Sequence, residues 1–296
     1  MRIVVAGASG LIGTALRESL TADGHEVLRM VRRESRGPDE VPWDPTRGEI
    51  DAEALKGADG VVNVAGAGLG DRRWTDEYKQ VIRDSRIDST RLLAETLAAI
   101  DPRPPVLVNA SGSGVYGPDR GDEVLDESSA TGTGFLADLV LDWESATAPA
   151  QSAGVRVCTL RTGLVMTRRG GALQRQLPFF KLGIGGPLGS GRQWWSHVSL
   201  IDTVRAIRFL LECETCSGPY DVSAPEPATN AEFTRVLGRA LGRPALLPVP
   251  PIALRIYLGE FAQDVLGSLR VLPTRLLDAG FTFQHPDAES VVYAAL

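Results

Sequence analysis

Hydrophobic positions near the start of the chain follow two different periods. Residues 2–6 form a short apolar run, whereas residues 11–20 place Leu11, Ala15 and Leu20 at helical spacing. Residues 26–31 have the composition of a second strand. Because an apolar strand, a glycine turn, a helix and another strand follow one another here, the pattern predicts a βαβ unit.

The alternation of strands and helices continues to about residue 165. Further apolar runs predict strands at 60–64, 106–110 and 155–160, and helical spacing predicts helices at 75–100 and 134–152, with polar, turn-rich loops at 37–57 and 117–132. Elements of this length in this order are typical of the α/β class. We therefore predict a Rossmann-type, doubly wound parallel sheet.

The regular alternation of strands and helices ends after residue 165, where glycines become frequent. Residues 170–191 contain seven glycines, and we interpret this segment as a long substrate-side loop. Helical spacing returns at residues 200–213. We expect residues 1–165 to form the dinucleotide-binding domain, with elements near 195–225 rejoining it. Residues 166–296 then form a substrate-side loop region and a smaller C-terminal subdomain.

The most informative local pattern is the turn between the first strand and the first helix. Its sequence is Gly7-Ala8-Ser9-Gly10-Leu11-Ile12-Gly13, a G-x-x-G-x-x-G spacing. In a dinucleotide site the first glycine permits the tight turn, the second lets the backbone approach a pyrophosphate, and the third lets the helix pack on the sheet. The free N–H groups of the helix N-terminus then bind the phosphates.

The end of the second strand indicates which dinucleotide is preferred. An NAD site usually has Asp or Glu here to hold the ribose 2′-OH, but this chain has Val31-Arg32-Arg33. A guanidinium suits a 2′-phosphate, so we expect NADP(H), with Arg32 as the better candidate. The alternative is that both arginines are ordinary solvated side chains.

Charge and composition narrow the possible partners. The formal net charge of −6 and the absence of a polybasic segment argue against a nucleic-acid partner. No apolar run approaches the roughly 20 residues that span a bilayer, and no signal peptide precedes the first strand, so we expect a cytoplasmic protein without a membrane partner. The cysteines are too few for a disulfide framework or a zinc site, and Cys213-Glu214-Thr215-Cys216 is interpreted as a surface turn.

Several segments together resemble an atypical, epimerase-family branch of the extended short-chain dehydrogenase/reductase superfamily. They are Gly7–Gly13, Asn63–Gly66, Arg73-Trp74, Ser85-Arg86, Val115–Gly117, Trp143-Glu144, Leu160–Gly163 and Gly185–Gln193. That branch also has a small C-terminal region, which residues 247–293 resemble. The resemblance therefore covers essentially the whole chain, and by analogy it also allows a homodimer.

The resemblance implies further cofactor contacts by position. Val31 and Arg32 would hold the adenosine phosphate end of the cofactor. The backbone of Val64, Ala65 and Gly66 would contact its pyrophosphate and ribose. Val81 and Arg86, on the long helix, would face the adenine or phosphate side, and the turn near Val165 would approach the nicotinamide. For Arg86 the alternative is an ion pair on the helix surface.

The usual catalytic pair of this superfamily is absent. Its Tyr-x-x-x-Lys spacing lets the lysine lower the tyrosine pKa, but no lysine follows any tyrosine of this chain by four residues. At the corresponding positions the chain has Phe135 and Leu139. Neither side chain can exchange a proton, so the standard mechanism is excluded.

Other residues could carry chemistry or bind a substrate. Tyr116 is the leading acid candidate, with an aromatic anchor as the alternative, and Ser111 and Ser113 could bind a carbonyl or cap a turn. In the glycine-rich loop the substrate candidates are Arg192, Trp194 and His197. Two functions remain open: an NADP(H)-dependent oxidoreductase or epimerase-like enzyme for a small carbonyl or sugar-like substrate, and a non-catalytic NADP(H)-binding redox sensor or scaffold.

Overall fold

Strands and helices alternate along most of the computed structural model, which describes residues 1–296. In chain order the strands are β1 (Arg2–Ala6), β2 (Glu26–Val31), β3 (Glu40–Asp44), β4 (Glu49–Ile50), β5 (Gly60–Asn63), β6 (Val106–Gly112), β7 (Val124–Leu125), β8 (Arg156–Thr162), β9 (Leu164–Met166), β10 (Trp194–Trp195), β11 (His197–Ser199), β12 (Gly218–Val222), β13 (Ala228–Thr229) and β14 (Arg270–Val271). The α-helices are α1 (Leu11–Ala22), α2 (Asp76–Ala99), α3 (Phe135–Ser145), α4 (Ala148–Ser152), α5 (Gly171–Lys181), α6 (Leu200–Glu212), α7 (Asn230–Ala240), α8 (Pro251–Leu258), α9 (Ala262–Leu266), α10 (Thr274–Asp278) and α11 (Ala288–Ala295).

Eight strands form the central sheet in the order β12-β8-β6-β5-β1-β2-β3-β4. Every neighbouring pair is parallel except β3 and β4 at the edge. The predicted Rossmann-type sheet is confirmed. Strand order reverses between β1 and β5, and the crevice beyond the carboxyl ends of the strands at such a reversal is where ligands bind in these folds.

Both faces of the sheet are buried because successive side chains of a strand point to opposite faces. On one face Ile3 and Val5 of β1 belong to a core that also contains Leu16 of α1 and Ile207 of α6. On the other face the alternate β1 residues pack in a second core with α2 and the residues around β3. Because helices pack on both faces of the sheet, the strands are held rigidly and the positions of their carboxyl ends are fixed.

Two segments that we expected to be loops contain regular structure. Residues 37–57 include β3, which pairs in parallel with β2, and the glycine-rich region includes α5. Only Val41 and Trp43 mark β3 as apolar, and α5 begins at the second of two consecutive glycines and contains Pro178. Although α5 buries Leu173, Leu177 and Phe180 at helical spacing, the surrounding glycines and Pro178 favoured a loop interpretation of its sequence.

The C-terminal part has its own core. Trp195 and Phe233 pack there with α11, and α7 and α11 lie side by side. At the opposite end of the main sheet β12 pairs in parallel with β8, so the chain returns to the sheet after the glycine-rich region. None of the helices combines the length and the apolar composition needed to cross a bilayer.

The Cys213–Cys216 turn differs from its prediction. The two sulfur atoms form a disulfide, and Cys216 is buried although Cys213 is only partly so. The bond closes the turn after α6, where two cysteines three residues apart are brought together. Cys158 remains a free, buried thiol.

Candidate functional site

A cleft of about 330 Å³ opens at the carboxyl ends of the central strands. Its walls come from the glycine turn, from the segment after β5 and from the segment that follows β8, with the lining residues Gly10, Leu11, Ile12, Gly13, Val64, Gly66, Gly163, Leu164, Val165, Gly171 and Ala172. The structure therefore brings together Gly10–Gly13, Val64, Gly66 and Val165, which the sequence placed at a cofactor site. The size is within the range of small-molecule pockets.

The three glycines of the turn have different structural roles. Gly7 has φ +79°, and a Cβ there would lie 2.7 Å from backbone atoms of Val64 and Ala65. A Cβ at Gly13 would overlap the Gly7 carbonyl oxygen and lie 2.8 Å from the Ala8 Cα. A Cβ at Gly10 would meet only the Gly7 oxygen, at 3.3 Å. Gly7 and Gly13 are thus required by packing, whereas Gly10 leaves its space to the cleft.

The N-terminus of α1 is open to the cleft. Gly10 is its N-cap, and no side chain caps the first turn. The first N–H groups of a helix have no intrahelical partners, and the helix dipole is positive at this end. The backbone here can hold an anion without any basic side chain.

The two arginines after β2 are in different environments. The guanidinium of Arg33 forms a two-point contact with the carboxylate of Glu40, at 2.6 and 2.7 Å, and Arg29 also bonds to Glu40 at 3.0 Å. These cations hold the pKa of the Glu40 carboxyl down to about 2. Arg32 is exposed and its guanidinium forms no ion pair within the chain. Arg32 is therefore the arginine that is free to bind a ligand.

Arg86 of α2 lies against the cleft wall. Its guanidinium would be 3.2 Å from a Cβ at Gly66 and lies 5.2 Å from the centre of the Trp143 ring. Its hydrogen bond goes to the Ile82 carbonyl oxygen at 3.0 Å, and burial lowers its pKa to about 10. The predicted alternative of a helix-surface ion pair does not describe this side chain, since it has no carboxylate partner.

The remaining cofactor candidates, Ser9, Val31, Ala65 and Val81, differ in how exposed they are and in what they contact. Ser9 is exposed in the glycine turn, and Val31 is half-buried at the end of β2. The N–H of Ala65 donates to the Asn63 side chain at 3.2 Å. Val81 is half exposed on α2 and does not line the cleft.

Tyr116 lies in the core rather than at the cleft. Its side chain is fully buried, and its hydroxyl donates to Asp221 Oδ2 at 2.6 Å. Burial and the neighbouring carboxyl raise the pKa of Tyr116. Burial also raises the pKa of Asp221 well above its ordinary value. This geometry agrees with the anchor alternative and leaves the hydroxyl without access to a ligand in the cleft.

The two serines also differ. The Ser111 hydroxyl donates to Glu144 Oε1 at 2.6 Å. The Arg161 guanidinium donates to both oxygens of the same carboxylate, each at 2.9 Å. Ser111 is thus part of a buried ion-pair network. Ser113 is half-buried and its hydroxyl forms no hydrogen bond within the chain, which leaves it available to a ligand.

None of the three substrate candidates of the glycine-rich loop lines the cleft itself, although His197 pairs with Leu164, which does. The Trp194 indole donates to Asp122 at 2.8 Å, and Arg192 is exposed. His197 is fully buried, with Nδ1 2.9 Å from the Trp195 carbonyl oxygen, and burial lowers its pKa.

Residues 181–195, the segment expected to form the substrate pocket, do not line the cleft, and their substrate role stays a prediction. The glycines of this loop allow close packing instead. A Cβ at Gly185 would lie 2.6 Å from the Phe180 ring, and one at Gly186 would overlap the Leu247 backbone.

Sequence reasoning missed two groups of cavity residues. Gly171 and Ala172 of α5 form part of the cleft wall, and Glu260, Gln263 and Asp264 line a second, smaller cavity beside Phe135. The first group lay in a segment interpreted as loop. The second comes from a part of the chain with no recognisable catalytic spacing, so only the fold could reveal it.

Comparisons with known proteins agree with this architecture. Residues 3–222 match the model of the NAD dependent epimerase/dehydratase family, and residues 249–294 match a domain of unknown function. An epimerase family protein of Mycobacterium bovis is 47% identical over 284 residues, which cover 96% of this chain and 93% of that protein. Human epimerase family protein SDR39U1 is 35% identical over 290 residues, which cover 97% of each chain.

Two solved structures are similar over the whole length of this chain. The crystal structure of human epimerase family protein SDR39U1 (isoform 2) with NADPH has a TM-score of 0.92 at 33% identity, covering 100% of this chain and 99% of that one. The nucleoside-diphosphate sugar epimerase from Corynebacterium glutamicum has a TM-score of 0.82 at 34% identity, covering 100% and 58%. The C-terminal region is shared as well as the sheet.

Proposed function

We propose that this chain, which belongs to the NAD dependent epimerase/dehydratase family, binds NADP(H) in the cleft and is an oxidoreductase or epimerase-like enzyme for a small carbonyl or sugar-like substrate. The observation that carries the cofactor proposal is the contrast between two adjacent arginines. Arg33 is neutralised by Glu40, whereas Arg32 is exposed and unpaired where a ribose 2′-phosphate would lie. The similar human structure is described as a complex with NADPH, which supports the same preference.

The residues of the cleft fit such a cofactor. Gly10 leaves open space in front of the uncapped N-terminus of α1, so the pyrophosphate can be held by backbone N–H groups. Arg86 supplies a largely buried positive charge next to Gly66, without a carboxylate to neutralise it. Val64, Ala65 and Gly66 would then contact the ribose, and Val165 the nicotinamide end.

The bound cofactor would supply a hydride donor or acceptor, and the chain would orient the substrate. Pre-orientation alone contributes much to a hydride transfer. The proton relay must be nonstandard, because Phe135 and Leu139 replace the usual pair and Tyr116 is enclosed by protein. Ser113 is the remaining hydroxyl of the three that the sequence suggested.

A second function has an observation in its favour. The enclosed Tyr116 and the apolar Phe135 are also compatible with a non-catalytic NADP(H)-binding redox sensor or scaffold. Oxidation of NADPH by a panel of small carbonyl compounds would favour the enzyme, and tight binding without oxidation would favour the sensor. A cytoplasmic location and a homodimer stay predictions.

The cofactor proposal is tested by titrating NADPH and NADH into wild-type protein and the Arg32→Ala variant. Charge-assisted hydrogen bonds contribute about 1.5–3 kcal/mol, so NADPH affinity should fall about 10- to 150-fold while NADH affinity stays nearly constant. Arg239→Ala, which removes an exposed charge on α7, is the control and should leave both affinities unchanged. Equal NADPH affinity in Arg32→Ala and wild type contradicts the assignment of Arg32.

A further inference from the structure

A group of large aliphatic side chains lies outside the core, just after α5 and between α7 and the end of α8. Each is at least half exposed, and they are Leu182, Ile184, Leu246, Leu247, Ile252 and Ile256. A fully exposed Leu or Ile side chain presents roughly 100 Å² of apolar area, so together they present roughly 400 Å². The largest apolar patch of a monomer is about 300–600 Å² and is often functional. We call this surface the apolar face.

The two stretches of chain that carry these residues lie against each other. A Cβ at Gly183 would lie 3.8 Å from the Pro244 ring, and one at Gly186 would overlap the Leu247 backbone. The segment after α5 is therefore in contact with the segment before α8. The exposed aliphatic side chains of both segments belong to one surface.

Helix α8 continues this surface. A Cβ at Gly189 would lie 3.6 Å from the ring of Pro251, the first residue of the helix. None of the residues of α8 is buried, and Ile252 and Ile256 lie four positions apart on one side of it. Tyr257, next to Ile256, is 70% exposed. The apolar side of a surface helix normally faces a core, so α8 has an apolar side without a partner in the chain.

The segments that form the apolar face carry only positive charges. Residues 163–201 and 233–259 contain no Asp or Glu. Their cations include Lys181, Arg243 and Arg255, which are exposed and follow or precede the aliphatic residues by a few positions. The chain as a whole has a formal net charge of −6. A basic, apolar surface on an acidic protein complements a partner that is both anionic and apolar.

A second copy of the chain does not fit this face. In a two-fold dimer the same patch lies on both subunits, so cations would face cations. The first acids beyond the segment 233–259 are Glu232 and Glu260, and both are engaged elsewhere. Glu232 accepts hydrogen bonds in the cap of α7, and Glu260 pairs with Lys79 at 2.6 Å. Like charges without carboxylates between them oppose association.

We propose that the apolar face docks on the surface of an anionic lipid bilayer. Its aliphatic side chains enter the boundary between headgroups and acyl chains, its basic side chains bind lipid phosphates, and Tyr257 lies at headgroup level. Docking of this kind needs no spanning helix. Our expectation of a protein without a membrane partner came from the lack of a spanning run, so it does not extend to surface binding. The face shares no residue with the lining of the cleft, and the proposal does not depend on nucleotide binding.

The probe is a vesicle of phosphatidylcholine, alone or with about 30% phosphatidylglycerol, and flotation of the full chain measures binding. Wild-type protein should bind the anionic vesicles about tenfold or more tightly than the neutral ones, and added salt should weaken binding by screening. Ile256→Asp places a charge in the apolar boundary and should lower the affinity about tenfold or more. Ile201→Asp makes the same change at a 45% exposed position of α6 and should bind as wild type.

A second variant tests the electrostatic part. Each basic side chain near an anionic surface contributes about fivefold in affinity, so Lys181→Ala/Arg255→Ala should bind about 25-fold more weakly. Arg47→Ala/Arg91→Ala removes two exposed cations elsewhere and is the matched control. All four variants should bind NADPH as wild type does, which shows that they are folded. If wild type fails to bind NADPH, only the nucleotide proposal is contradicted.

Several results would overturn the membrane proposal. They are equal binding of wild type and Ile256→Asp to anionic vesicles, equal binding of wild type to both kinds of vesicle, and no binding to either. Sedimentation velocity without lipid tests the second copy, because a wild-type dimer that Ile256→Asp dissociates would assign the face to self-association. Binding of soluble polyglutamate without binding of anionic vesicles would assign it to an acidic protein segment.

Discussion

The glycine turn allows nucleotide binding to be separated from folding by two alanine substitutions. Gly10→Ala and Gly13→Ala add the same methyl group to the same turn, three residues apart. The space around the two positions differs, however. We expect Gly10→Ala to weaken binding while the fold persists, and Gly13→Ala to destabilise the fold itself.

The cost at Gly13 follows from its neighbours. A Cβ there lies 2.8 Å from the Ala8 Cα and overlaps the Gly7 carbonyl oxygen, whereas carbon atoms in contact are normally about 3.5–4.0 Å apart. Overpacking against atoms that cannot rotate away costs about 3 kcal/mol. Alanine recovers about 1 kcal/mol of helix propensity relative to glycine. The free energy of unfolding should therefore fall by about 2 kcal/mol.

At Gly10 the same methyl group would meet protein atoms only at 3.3 Å, from the Gly7 carbonyl oxygen. The backbone φ of Gly10 is −76°, which suits alanine. Loss of a glycine N-cap is offset by a lower entropy of the unfolded chain, so stability should change by less than about 1 kcal/mol. The methyl occupies the space that we assign to the pyrophosphate. Loss of one charge-assisted backbone bond would weaken NADPH binding about 10- to 150-fold.

Urea denaturation measures the stability of both variants, and NADPH fluorescence titration measures affinity. If Gly10→Ala binds NADPH as wild type does, the pyrophosphate does not lie against Gly10 and the assignment of the turn is wrong. If Gly13→Ala is as stable as wild type, the close approach of α1 to the turn is not required.

Two further predictions concern buried charges. Glu144→Ala removes the carboxylate partner of Arg161, whose side chain is only 8% exposed, and should lower the free energy of unfolding by about 3–5 kcal/mol in urea denaturation. The Glu144→Leu/Arg161→Met double variant should recover much of that loss, because it leaves no unpaired buried charge. A loss under about 1 kcal/mol for Glu144→Ala would contradict this view of the ion pair. Glu40 has a pKa lowered from 4.5 to about 2, so its contribution to stability is complete above about 4.5 and disappears as the pH falls toward 2. Glu40→Gln should therefore lose less stability than wild type between neutral pH and that acid range, and parallel pH curves for the two proteins would refute the link.

The meeting of the glycine turn and the segment after β5 at one cleft was predictable from local signals in each segment. The turn 7–13, the strand end at Arg32 and the segment 64–66 each carry their signal in a few neighbouring residues. Strand, turn and helix depend on local periodicity, and parallel strands bring their carboxyl ends to one edge of the sheet. Once the fold class was inferred, these segments had to meet.

Sequence reasoning was weakest where a residue type allowed two roles. Tyr116 was a candidate for chemistry and His197 a candidate for substrate binding, but the fold encloses both, and burial raises the pKa of the first and lowers that of the second. The type of side chain was known from the sequence. Its access to a ligand depends on every element packed around it.

The sequence by itself determined the α/β class, the glycine turn and the absence of the usual tyrosine and lysine. Tertiary structure alone decided that Arg33 is neutralised by Glu40 while Arg32 is free, and that Asp264 meets Phe135 in one cavity. Local patterns are set by neighbours within a few residues. Pairing and burial depend on how segments pack: Arg33 and Glu40 are seven residues apart but meet only because β3 pairs with β2, and Phe135 and Asp264 are more than a hundred residues apart.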